Sequence, residues 1–170
     1  MQFFEDEKKS NITVIRSPAP LKFFHDTEPV VFLAGSIEQG TAEEWQLETI
    51  NLFSELEAII LDPRRDNWDA SIIDDFENLS AQVTWELTGL EEADIVLMHF
   101  EKSTKSPISL LELGLLLGKD KLVVVSCSPE FYRYGNVKIT CDRYNTAVYE
   151  KLDDARNEVK RLISEFNFGF

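Results

Sequence analysis

From Ser106 to Gly118 the chain reads SPISLLELGLLLG, and every residue is apolar, small or hydroxylic except Glu112. An ionised carboxylate loses far more hydration on burial than an apolar interior returns, so a glutamate in such company is either paired or used. If paired, it caps loop N–H groups or meets an arginine such as Arg64. If used, it carries its charge or its proton to a substrate. Ser106-Pro107 reads as a helix start, with serine able to accept a backbone N–H at the cap and proline preformed for the first turn. Ser106, Ser109 and Glu112 then recur every three residues as a polar stripe on a greasy helix.

Four other stretches carry groups with chemical potential. TWELTGLEEADIV, Thr84 to Val96, contains Glu86, eight residues before Asp94, where a strand is expected to begin. Glu86 is either at the ligand edge or on an exposed helix face, and Asp94 falls at the opposite end. GSIEQG, Gly35 to Gly40, offers a glycine that lets a ligand approach backbone N–H groups, or a plain tight turn; the G-x-G-x-x-G dinucleotide spacing is absent. DPRRDNWD, Asp62 to Asp69, combines Asp62, Arg64 and Arg65 with Trp68, a flat surface on which a base could stack, although charged loops are usually just solvated. SPEFYRYGN, Ser128 to Asn136, packs three aromatics into four residues, as an interface or a lid would.

The elements that must position these groups alternate. PVVFLAG, AIILDP, DIVLMHF and KLVVVSC are short apolar runs of strand length. Between them lie AEEWQLETINLFSELE, FENLSAQVTWELTGLEEA and the Glu112 segment, all with helical periodicity. NVKITC reads as a fifth, shorter strand before a last helix, TAVYEKLDDARNEVKRLISEF. Continuous apolar strands separated by helices indicate a parallel sheet covered on both faces, here a flavodoxin-like, doubly wound α/β fold of five strands. Ligands of such folds bind beyond the carboxyl ends of the strands, where strand order reverses. Gly35, Ser36 and Ile37 fall at that edge, as do Asp62 to Asp69 with Arg64 and Trp68, His99 to Ser106, and Cys127 to Asn136. Residues 1–28 are expected to form an extension whose RSPAPLKFF segment packs at the sheet edge through Leu21, Phe23 and Phe24, and residues 29–170 the domain proper.

Bulk properties narrow the partners. A length of 170 residues with 44% hydrophobic residues suits a single domain. Seventeen basic against 31 acidic side chains, a net charge of -14, repel polymeric nucleic acid and anionic membrane surfaces. Cys127 and Cys141 form no ligand cluster with His25 and His99, so no metal site is expected. The start MQFFEDEKKS lacks the basic and apolar regions of a signal peptide, and no apolar run reaches the ~20 residues of a membrane span. A cytoplasmic protein with no cofactor is expected.

Taken together, FLAGSI, the WE of helix two and SPISLLELG resemble the nucleoside 2-deoxyribosyltransferase superfamily, most closely its deoxyribosyltransferase-like branch, over about Pro29 to Tyr144. The resemblance implies the flavodoxin-like fold, Glu112 as nucleophile on the anomeric carbon of a 2-deoxyribosyl group, and Glu86 as the carboxylate that positions the sugar or helps with proton transfer. A glutamate of ordinary pKa, about 4.3, is ionised at neutral pH and needs no base to attack. The implied activity is cleavage or transfer of the N-glycosidic bond of a 2'-deoxynucleoside or its 5'-monophosphate, in a homo-oligomer whose neighbouring subunit closes the site. The transferases carry aspartate where Ser106 stands; the relatives that hydrolyse deoxynucleoside 5'-monophosphates carry serine there and GSI after strand one, which makes Ser36 and Ser106 resemble phosphate or 5'-hydroxyl ligands. The arginine following GSI in those hydrolases is Glu38 here, and a tyrosine is replaced by Phe32, leaving Arg64, Arg65 or Arg133 to supply positive charge. An NAD glycohydrolase and a nucleotide-binding module without catalysis are the alternatives. A receiver domain is disfavoured, since AGS and MHF lack the required aspartates.

Overall fold

A computed structural model describes residues 11–22, 28–38, 42–66, 71 and 74–167. In chain order the elements are β1 (Thr13–Arg16), β2 (Val30–Gly35), α1 (Trp45–Leu52), β3 (Ile59–Asp62), α2 (Phe76–Glu92), β4 (Ile95–Phe100), α3 (Pro107–Gly118), β5 (Val123–Cys127), α4 (Tyr134–Arg143), β6 (Val148–Tyr149) and α5 (Leu152–Asn167). The strands form one parallel sheet in the order β1-β3-β2-β4-β5-β6. Without β1 the order is the 2-1-3-4-5 of flavodoxin-like sheets, with its reversal between β2 and β4.

Because strand side chains alternate, each strand feeds two cores. Val30, Phe32, Ala34, Val96, Met98 and Phe100 pack with Trp85 of α2, Leu113, Leu116 and Leu117 of α3, and Val137 and Cys141 of α4. Val31, Leu33, Ile95 and Leu97 face the other way, onto Trp45 and Phe53 at α1 and Ala155, Val159 and Ile163 of α5. Burial on both faces is why the strands read as unbroken apolar runs.

Two expectations about strands change. The sheet has six strands: TVIR of the N-terminal segment pairs alongside β3, just upstream of the expected edge segment, whose Phe23 and Phe24 lie outside the described residues. NVKITC is helical within α4; its valine, isoleucine and threonine suggest a strand, but the buried pair is Val137 and Cys141, four apart as on one helix face. The sixth strand is instead the two-residue VY of the segment expected to open the last helix, which begins at Leu152. Among the described residues no helix is long and apolar enough to cross a membrane.

Candidate active site

The loops after β2 and β4 meet at the strand-order reversal. Gly35 has φ +130°, and a Cβ there would lie 2.0 Å from the His99 carbonyl oxygen, so the glycine serves the approach of two backbones. Ser36 follows; its N–H donates to His99 O (2.9 Å) and its carbonyl accepts from Trp45 Nε1 (2.9 Å). Ser36 Oγ, fully buried, accepts from the Glu101 N–H (2.9 Å) and bonds to Thr104 Oγ1 (2.8 Å) and Ser106 Oγ (2.7 Å). Thr104 Oγ1 also contacts Ser106 Oγ (2.8 Å) and donates to Glu101 O (2.9 Å). The expected serine cap of α3 is therefore absent: Ser106 is left-handed (φ 47°, ψ 51°), and its hydroxyl joins this cluster instead of capping. Glu38, also left-handed at φ 45°, reaches across from the β2 loop and accepts from the Lys105 (2.9 Å) and Ser106 (2.7 Å) N–H groups. Ile37 sits half-buried between them.

Glu86 and Glu112 lie on α2 and α3, the helices on the same face of the sheet at the reversal. Each stands six residues before the last residue of its helix, Glu92 or Gly118, about 9 Å along the axis. Gly89 lets α2 sit close to the sheet, since a Cβ there would lie 2.6 Å from the Phe32 ring. Among the described residues Glu112 has no hydrogen-bond or ion-pair partner; Arg64, the arginine considered for it, donates to the Ala42 (2.7 Å) and Glu43 (2.8 Å) carbonyls. Burial, and then the charge of Glu86, push the Glu112 carboxyl up to about 8. The expectation of an ordinary, already ionised glutamate is thereby corrected. Burial also raises Glu86, opposed by a hydrogen bond from Gln82 Nε2 (3.1 Å) and by the charge of Arg65. Beside the pair, the buried Gln82 Oε1 and Arg65 Nε have no partner among the described residues.

The other expected residues divide. Asp62, buried at the end of β3, holds Arg16 Nε (3.0 Å) and the Arg64 N–H (2.9 Å); burial raises its pKa, against those two partners. It secures the edge strand. His99 points to the opposite face from Glu112: its Nδ1 lies 3.1 Å from Ser126 Oγ and its ring meets Trp45 edge-on at 5.1 Å. Burial, helped by the Arg156 charge, pushes its pKa down to about 4, so it is neutral at physiological pH. Trp68 lies outside the described residues. Of the three loop aromatics, Phe131 is buried against Phe100 at 5.2 Å, Tyr132 is exposed under Arg133, and Tyr134 begins α4.

Gln82 lies outside the residues expected at the site, although it carries a usable signal, four residues before Glu86 on the same helix face. Thr104 falls within the stretch from His99 to Ser106 expected there, but a loop without periodicity gives it no role of its own. An open cleft of about 390 Å³ lies at the far end of β5, lined in part by Asp120, Lys121, Asn145 and Glu158, at the sheet edge opposite the glutamates. Among the described residues no three His, Cys, Asp or Glu side chains are grouped to hold a metal ion.

A family model described as "nucleoside 2-deoxyribosyltransferase like" matches residues 28–131, a span that contains both loops and both glutamates. No curated protein matches the chain. Among solved structures, the crystal structure of a conserved protein from Enterococcus faecalis V583 is similar, with a TM-score of 0.57 at 12% identity, covering 79% of this chain and 99% of that one. That likeness is one of fold.

Proposed function

Because this chain belongs to the nucleoside 2-deoxyribosyltransferase-like family, we propose that it cleaves or transfers the N-glycosidic bond of a 2'-deoxynucleoside or its 5'-monophosphate, through a covalent glutamyl-deoxyribosyl intermediate. The observation that carries this reading is the Glu112–Glu86 pair: two half-buried carboxylates, the first without a partner among the described residues and held up to about 8. A carboxylate kept short of partners is poor architecture and good chemistry.

One proton shared by the pair meets both demands of the reaction. With the proton on Glu86, ionised Glu112 attacks the anomeric carbon. The bond from that carbon to the base breaks, its electron pair leaves with the base, and Glu86 passes its proton to the departing nitrogen. The transition state resembles an oxocarbenium ion, as in retaining glycosidases. Glu86, now ionised, takes the proton from the attacking water, or from the N–H of an acceptor base, as that nucleophile displaces the glutamyl ester and regenerates the Glu112 carboxylate. Gln82 orients Glu86, and the Arg65 charge tempers its pKa.

The protein works as a homo-oligomer in this reading. Support comes from exposed apolar side chains on the helices that bear the pair, Val83 and Leu87 on α2 and Ile108, Leu111 and Leu115 on α3. Light scattering at micromolar concentration should give more than a monomer.

The test of the activity is incubation with 2'-deoxynucleosides, their 5'-monophosphates and NAD, with free base resolved by chromatography. Base from the deoxy substrates supports the proposal, nicotinamide from NAD alone favours a glycohydrolase, and no release from any defeats both. A 2-fluorinated deoxynucleoside, whose fluorine destabilises the oxocarbenium-like state and slows release of the intermediate, should leave an adduct on Glu112 by mass spectrometry.

A further inference from the structure

We infer that Glu38 is a built-in anion lying where a substrate phosphate would bind, and that it restricts the site to 2'-deoxynucleosides with a free 5'-hydroxyl. The inference rests on the glycosidic reading above and names the substrate class within it.

Consecutive N–H groups before a helix attract anions, and at α3 two of them, from Lys105 and Ser106, converge on one oxygen, Oε1 of Glu38 (2.9 and 2.7 Å). Pro107 opens the helix and contributes no N–H, so the carboxylate takes the two donors that precede it. Ser106 lies six residues before Glu112, about 9 Å along α3, and helical side chains lean toward the N-terminus, so the Glu112 side chain leans toward the end of α3 that bears those N–H groups.

The neighbouring hydroxyls cannot substitute for the occupied donors. Thr104 gives its proton to Glu101 O. Ser36 and Ser106 have two protons for the three contacts among Ser36, Thr104 and Ser106, so every proton of the cluster is already engaged. A 5'-phosphate would have to expel a carboxylate from its N–H groups, break a buried hydroxyl cluster, and approach like charge on a chain of net charge -14. A neutral 5'-hydroxyl meets none of these obstacles.

The experiment compares kcat/KM for a 2'-deoxynucleoside and its own 5'-monophosphate in wild type, Glu38→Gln and Glu38→Gly. Glutamine keeps the acceptor and removes the charge; glycine vacates the position and suits the left-handed backbone. Wild type should favour the nucleoside by about 10²-fold or more, the scale of an uncompensated like-charge contact. The ratio should fall about tenfold in Glu38→Gln and further in Glu38→Gly. Calorimetric titration with deoxyribose 5-phosphate should show tighter binding to both variants than to wild type. That second arm does not depend on catalysis: if no substrate releases base, the glycosidic reading fails, while the titration still decides Glu38. Should circular dichroism show Glu38→Gly unfolded, Glu38→Gln decides alone. A wild type that prefers the monophosphate overturns the inference, as do a ratio and a deoxyribose 5-phosphate affinity unmoved in the folded variants.

Discussion

Arg156 and Glu112 stand on helices packed against opposite faces of one sheet, and their surroundings differ in kind. Arg156, 6% exposed on α5, donates to Thr49 Oγ1 (2.9 Å), Asp153 Oδ1 (2.9 Å), the Trp45 carbonyl (3.2 Å) and Glu48 Oε2 (3.3 Å). Glu112 on α3 has no such partner among the described residues and faces a second carboxylate. On the first face a buried charge is fully engaged and ties α1 to α5. On the second a half-buried carboxyl has no partner among the described residues, and burial raises its pKa. Burial alone therefore does not mark a candidate for chemistry; what sets Glu112 apart is a raised pKa and a second carboxylate beside it, with no partner among the described residues.

The sharpest way to break this contrast is Glu112→Gln. On the proposed mechanism it should lower kcat for base release by more than about 10³-fold, the loss typical of a removed nucleophile, as read by chromatography of free base. Retained turnover would put Glu112 in the same class as Arg156.

On the other face, Arg156→Met keeps length and removes every donor. The Glu48 and Asp153 partners are exposed and contribute little, but the Trp45 carbonyl and Thr49 hydroxyl lose a buried donor, so urea unfolding should show a loss of about 2 to 4 kcal/mol. Near-wild-type stability would mean that the network is ornamental.

Glu86→Gln tests the pairing. Turnover should fall about 10²-fold, and the pH profile should change shape. Wild type, active with one proton on the pair, should lose kcat/KM above about pH 8. With Glu86 uncharged, the Glu112 pKa falls and no acid remains to be lost, so the decline on the alkaline side should disappear. An unchanged profile would separate the two glutamates.

The smallest effect is on stability. The folded pKa of Glu112, about 8, lies above its unfolded value near 4.5, so the folded protein binds more protons in that window. The stability from burying the neutral acid is fully present below about pH 4.5 and is lost as pH rises through about 8. Relative to Glu112→Gln, wild type should lose on the order of 2 kcal/mol between pH 5 and 7, measured by denaturant unfolding at each pH. A flat difference would mean that Glu112 is better solvated than its setting implies.

The layered sheet and the prominence of Glu112 are legible in the chain because both depend on neighbours in sequence. Unbroken apolar strands report burial on both faces, and a single carboxylate on a greasy helix reports itself. NVKITC misleads because β-branched residues populate both periodicities, and only the packing of Val137 and Cys141 on the sheet selects the helix. The two-residue β6 is too short to carry any period.

By itself the sequence determined the alternation of strand and helix and singled out the carboxyl edge and Glu112 as the candidates for chemistry, since period and composition are local properties. Tertiary structure alone decided that His99 faces away from Glu112, that Ser36 and Ser106 spend their hydroxyls on each other, and that Glu38 holds N–H groups 67 and 68 residues further along. Those outcomes follow from which two loops the reversal between β2 and β4 brings together, and hydrogen-bond partners that distant in sequence leave no periodic trace in it.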